Sequence, residues 1–172
     1  MNLTLLFENS FGWRKKPVNI FSETYCTSDG KLIANVFLDR QYEETNYFLN
    51  RDWRTLTIQE LQENPDVISG TNPEAYCYFL PGILCAAYQE NIINISVVDF
   101  ILWNLQFYDS NKETTELEKN YSYVRWIQLT KAELLAVKEW LNWFYESNGI
   151  ESDEYKVACE TLDWLISKKS EN

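Results

Sequence analysis

Residues 71–91, "TNPEAYCYFLPGILCAAYQEN", carry the strongest helix pattern in the chain, with a proline in the middle of it. Asn72 is a good N-cap because its side chain can accept an orphan backbone N–H. Pro73, at the first helical position, gives up no bond the helix needs, and Glu74 sits near the positive helix end. Ala75, Tyr76, Phe79, Leu80, Ile83, Leu84 and Ala87 follow at three- and four-residue spacing as one apolar stripe. Inside this stripe Pro81 removes a backbone bond and clashes with the Cys77 carbonyl, at a cost on the order of 3 kcal/mol. Gly82 adds about 1 kcal/mol relative to alanine. The stripe nevertheless keeps its phase across both residues. Burial of Tyr76, Phe79, Leu80, Ile83 and Leu84 can offset the cost at ~1.5–3 kcal/mol per side chain. The stretch therefore predicts a kinked helix, or two helices meeting at a bend, that wraps the core. A second use of Pro81 would be a pocket lined by the freed Cys77 carbonyl and the tyrosines.

Outward from this helix, the pattern continues to favour helices. Leu3, Leu6, Phe7 and Phe11 mark one over about 3–11. The segment 17–30 reads as irregular and closes on the turn signal Asp29-Gly30. "KLIANVFLD" fits a strand by its β-branched content and a helical turn by its Leu32/Val36 spacing; "RQYEETNYFLN" reads as helical. Thr57 and Glu60 form a capping box for a short helix to about Glu63, and Thr130 and Glu133 form another. "ISVVDFILWNLQF" reads as a buried helix, less well as a central strand, and 109–120 as a polar loop. The helix opened at Thr130 carries Leu134, Val137, Leu141 and Phe144 and stops at Gly149. The last helix begins after Ser152 and buries Tyr155, Ala158, Leu162 and Leu165. Lys168 and Lys169 complement its negative end.

With 172 residues, 45% hydrophobic and 16% aromatic, the chain suits one domain with a real core. Only 5 Gly and 4 Pro leave few turns, which favours long elements. The expected fold is mainly α: a single domain over 1–172, a compact bundle of six or seven helices, one kinked at Pro81. There is room for a short strand or hairpin near residues 18–38.

"WRTL" at 53–56, "NPEAYCYFLPGILCAA" at 72–87 and "QLTKAELLAVKEWLNWF" at 128–144 together resemble a family of uncharacterised bacterial proteins. Its core motif, Pro-Glu-Ala-aromatic-x-Tyr-aromatic-Leu-Pro, falls here on residues 73–81. The resemblance spans roughly residues 40–148. It implies a compact, bacterial, cytosolic domain and carries no catalytic residue with it.

The residue inventory narrows the chemistry. There is no histidine, which removes the usual general base near neutral pH and every Ser-His-Asp or Cys-His arrangement. No phosphate-binding glycine loop is present. Cys26, Cys77, Cys85 and Cys159 lack C-x-x-C spacing, so no metal site and no cofactor is expected. Three of the four lie among apolar neighbours and read as buried small hydrophobes. Asp99, in "VVDFIL", is the acid with the most apolar setting; it could be a perturbed acid, cap a backbone group in the core, or pair with Arg125, in "YVRWI".

Twenty-six acids against 15 bases give a net charge of −11, which disfavours nucleic acid and anionic membranes as partners. No apolar run approaches the ~18 residues of a membrane span. The start, "MNLTLLFENSFGWRKKP", lacks a charged region before its short apolar run, so no secretory leader is expected and the location reads as cytoplasmic. Residues 146–163 hold Glu146, Glu151, Asp153, Glu154, Glu160 and Asp163 against Lys156 alone. Such a run is ordinarily a solvated face; it could also dock a basic partner. Trp143 and Tyr145 fall off the main stripe of their helix and could form an exposed aromatic hot spot beside it.

These features point to a non-enzymatic binding protein: an acidic immunity or inhibitor protein that neutralises a basic toxin domain by direct contact. Trp143, Tyr145, Glu146, Glu151, Asp153 and Glu154 are its candidate contact residues. The alternative is a small-molecule-binding protein or a carboxylate-dependent enzyme with a pocket near Pro81.

Overall fold

The computed structural model describes residues 2–21, 24–26, 32–34, 45–92, 94–148 and 153–169. Five helices of nine residues or more dominate: α1 (Leu3–Phe11), α3 (Pro73–Glu90), α4 (Ser96–Asn104), α7 (Lys131–Asn148) and α8 (Asp153–Lys168). Between them lie the short helices α2 (Ile58–Glu63), α5 (Thr114–Leu117) and α6 (Tyr121–Trp126), and 3₁₀ turns at Phe48–Asn50 and Trp53–Thr55. Among the described residues, β1 (Thr24–Cys26) pairs antiparallel with β2 (Leu32–Ala34), placing Tyr25 opposite Ile33. This settles 32–34 of the ambiguous "KLIANVFLD" as strand. The rest of that segment and residues 40–44 of the expected next helix fall outside the described residues. The expected polar loop at 109–120 contains α5, whose Leu117 is buried.

A single helix, α3, runs from Pro73 to Glu90 with Pro81 inside it, rather than two helices meeting at a bend. The Asn72 side chain accepts from Ala75 N at 2.8 Å, as the capping rule requires. Every residue from Ala75 to Ala87 is buried, so the apolar stripe described only part of what the helix hides. The reason is that α1, α2, α4, α6, α7 and the Trp53–Thr55 turn all pack on it. Cys77, Tyr78, Cys85 and Ala86, off the stripe, meet these neighbours instead of water.

The Pro81-Gly82 pair is the place where another backbone reaches α3. A Cβ on Gly82 would lie 2.1 Å from the Trp53 carbonyl oxygen and 3.0 Å from Leu56 Cδ1. Only glycine lets the turn sit this close. On the far side of the helix the Trp140 indole N–H donates to the Leu84 carbonyl at 2.8 Å. The stretches 53–56, 72–87 and 128–144 thus pack on one another, with Trp53 against Gly82 and Trp140 against Leu84.

Two arginines fix the periphery to this centre. Arg14, from the basic cluster Arg14-Lys15-Lys16, donates to Glu133 Oε1 at 2.5 Å and to Oε2 at 2.8 Å, and to the Gln128 carbonyl. Glu133 is buried and also closes the capping box of α7, accepting from Thr130 N while its own N–H donates to Thr130 Oγ1. Breaking such a buried pair costs about 3–5 kcal/mol. Arg125 is fully buried. Its Nη2 donates to the carbonyls of Ser69 and Thr71 and to the Tyr121 hydroxyl, and its guanidinium lies over the Tyr76, Phe100 and Tyr121 rings. The expected Arg125–Asp99 pair does not form: Asp99 stands on the exposed side of α4, in its first turn, where the helix dipole favours it.

One hydrophobic cluster runs from Leu3 to Leu165 through all five long helices. Among the described residues, no helix is long and apolar enough to cross a membrane.

Gly82→Ala tests the central contact. Alanine gains about 1 kcal/mol of helix propensity, but a clash with backbone belongs at the upper end of the ~1–3 kcal/mol overpacking range. The clash wins, and chemical denaturation should show a net loss of about 2 kcal/mol.

Candidate functional site

Helices α7 and α8 pack side by side, and their junction gathers most of the residues singled out from the sequence. Tyr145 is not an exposed anchor. It retains 7% of its surface, with its ring 4.2 Å from Tyr155 and 5.2 Å from Phe144. Trp143 is half-buried, edge-on to Tyr88 at 5.0 Å and 5.9 Å from Trp140. The pair are packing residues that seat α8 and α3 against α7. The sequence held a signal for this: Tyr145 lies four residues after Leu141 and eight after Val137, so a wider stripe includes it. Among the described residues the most exposed aromatics are Trp103, 68% exposed on α4, and Trp13, 61% exposed after α1.

The acids fare differently. Glu146 is exposed near the end of α7, and Asp153 and Glu154 are exposed in the first turn of α8. There the carboxylates also complement the helix dipole, a structural role worth a few tenths to 1 kcal/mol each, roughly. Glu160 and Asp163 continue the exposed side of α8, with Asp163 held by Lys138 at 2.5 Å. Glu151 falls outside the described residues. Glu146 on α7 and Asp153, Glu154 and Glu160 on α8 are therefore each exposed to solvent.

A second feature was not singled out from the sequence. Trp13, Arg14, Lys15, Glu74 and Tyr78 line an open cleft of about 270 Å³. The Arg14 guanidinium lies 4.8 Å from the Trp13 ring centroid while holding Glu133. Lys15 and Glu74 are exposed at this cleft. Tyr78 is buried, and burial together with the Asp52 carboxylate pushes its phenol up. The sequence clue was a tryptophan directly before the basic cluster. Around Pro81 itself the residues are buried, so the cleft opens at the first two turns of α3 instead.

None of the described thiols is activated. Burial pushes Cys77 and Cys85 up to about 12 each, and burial also raises the half-buried Cys159. A thiol is a nucleophile only as thiolate. The Cys77 Sγ–H instead donates to the Arg125 carbonyl at 3.3 Å. Partial desolvation raises the Asp99 carboxyl, but Asp99 lies on an open helix surface and not in the cleft. Among the described residues, no cluster of cysteines and carboxylates has metal-binding geometry.

Comparison of the chain with protein-family models, with curated proteins and with solved structures finds no match in any of the three.

Two outcomes separate packing from surface here. Tyr145→Ala should lower stability by about 3 kcal/mol in chemical denaturation, whereas joint replacement of Glu146, Asp153 and Glu154 by glutamine should change it by less than about 1 kcal/mol. Residue-resolved alkylation at pH 8, read by mass spectrometry, should label Cys77 and Cys85 only after unfolding; rapid native labelling of either would contradict the buried-thiol geometry.

Proposed function

We propose that this chain is a binding protein, an acidic inhibitor of the immunity-protein type that neutralises a basic toxin domain by covering it. The observation that carries the reading is the exposure of four carboxylates, Glu146 on α7 and Asp153, Glu154 and Glu160 on α8, on well-packed helices. Rigid helices present charge without an ordering cost, and complementary charge speeds encounter and excludes wrong partners. Trp143 and Tyr145 serve this surface from beneath by fixing the junction; they do not touch the partner. The raised thiols and the absence of histidine fit a protein that works by occupancy rather than by turnover. The cysteines with described side chains, Cys77, Cys85 and Cys159, are free, which fits a reducing cytoplasm.

The test is a charge reversal. The quadruple variant E146K/D153K/E154K/E160K should keep its melting temperature within a few degrees. It should lose at least 10-fold in affinity for the proposed basic toxin-domain partner, measured calorimetrically at low salt. Binding by the native protein should weaken as salt rises. Equal affinity of variant and native protein would refute the surface.

The cleft at Trp13, Lys15 and Glu74 supports a second reading, a small-ligand-binding protein. Its aromatic wall and its two exposed charges of opposite sign suit a small zwitterion with an apolar body. A thermal-shift screen of amino acids should then give a stabilising hit that Trp13→Ala removes.

A further inference from the structure

The cleft lined by Trp13, Arg14, Lys15, Glu74 and Tyr78 has a volume of about 270 Å³. Pockets for drug-sized ligands run from ~300 to 1,000 Å³, so this one suits a single molecule of amino-acid size. Two of its walls are fixed. The Trp13 indole, although 61% exposed, donates its N–H to the Ser10 carbonyl at 2.9 Å and has the Arg14 guanidinium 4.8 Å from its ring centroid. The Arg14 side chain is only 10% exposed, and its Nε hydrogen and both Nη2 hydrogens go to Glu133 and the Gln128 carbonyl.

The Arg14 Nη1 hydrogens remain. They have no partner among the described residues, and the enclosed orphan donors there belong to Trp53, Tyr76, Arg125 and Trp126 instead. Solvent therefore reaches Nη1, on an arginine that lines the cleft. Lys15 and Glu74 are exposed and form no ion pair or side-chain hydrogen bond among the described residues. Partial burial opposes the Arg14 charge, but Glu133, then Cys77 and Glu74, hold its pKa above the ordinary guanidinium value. The Glu74 carboxylate is thus close enough for its field to reach Arg14 without pairing with it. Glu133 cancels Arg14, and Glu74 balances Lys15. A zwitterion enters such a set without leaving net charge; a simple anion or cation leaves one.

We propose that the cleft is an α-amino-acid site with a preference for aromatic side chains: Arg14 Nη1 and Lys15 take the carboxylate, Glu74 takes the ammonium, and the ligand's ring packs on Trp13. This rests on the reading of the cleft as a small-ligand site and names its ligand class. A planar ring stacks on an indole better than an aliphatic chain does. An open cleft and so small a ligand set the dissociation constant on the order of 1 mM.

The experiment is a chemical-shift titration of the isotope-labelled chain, read at the Trp13 indole N–H and the backbone amides of Lys15 and Glu74. The probes are L-phenylalanine, its amide, hydrocinnamate and L-leucine. Phenylalanine should saturate these signals, and the other three should bind about 10-fold more weakly, each lacking one of the three contacts. Amide or leucine binding as tightly as phenylalanine overturns the proposal while the small-ligand reading stands. No saturable shift with any probe also overturns it, and that reading then depends on the thermal-shift screen alone. Glu74→Gln, a change at an exposed position, should weaken phenylalanine about 5-fold without weakening hydrocinnamate. Unchanged phenylalanine affinity in that variant refutes the ammonium contact and the proposal with it.

Discussion

A helix with no solvent face must have every side satisfied by protein, and α3 is such a helix from Ala75 to Ala87. That one constraint organises the molecule. The Trp53–Thr55 turn can approach only because position 82 has no side chain. Trp140 ties α7 to the opposite side through the Leu84 carbonyl, and Cys77 ties α6 through the Arg125 carbonyl. The Pro81-Gly82 pair looks costly for an isolated helix. In this setting the backbone cost is offset by burial on all sides, at ~1.5–3 kcal/mol per large side chain. The proline is architectural, and its neighbour glycine is the contact.

Charge is partitioned accordingly. Of the basic cluster after α1, Lys15 and Lys16 are exposed, whereas Arg14 is partly buried on Glu133, the same residue that caps α7. Arg125 is drawn into the core among aromatics and backbone carbonyls. The acidic surplus is left outside, most densely where α7 gives way to α8. Because Arg14 is matched by the buried Glu133, only Arg125 among the described residues is withdrawn without a carboxylate, which leaves the surface slightly more acidic than the composition implies and is the physical basis for proposing a basic partner.

Much of this was legible in the sequence because local rules act alone. Asn72, Thr57 and Thr130 placed helix starts correctly, since a cap needs only residues within three positions. Leu3, Phe7 and Phe11 placed α1 by spacing. What local rules could not see was contact between distant segments. The stripe on α3 missed Cys77, Tyr78 and Cys85 because six elements converge there. Tyr145 looked free because its covering residue, Tyr155, belongs to another helix. Asp99 and Arg125 looked paired because both sit in apolar stretches, but the segment 69–71 supplies the arginine's acceptors. The cleft at Trp13, Lys15 and Glu74 joins residues some sixty positions apart and left only a weak trace.

The most direct measurement is amide hydrogen exchange of the chain alone and with a basic toxin domain of the class proposed as its partner. The account predicts new protection at the end of α7 and the first turns of α8, around Glu146, Asp153 and Glu154, with the 13–15 and 74–78 segments unchanged. Protection confined to the cleft segments, with α7 and α8 exchanging as before, would contradict it.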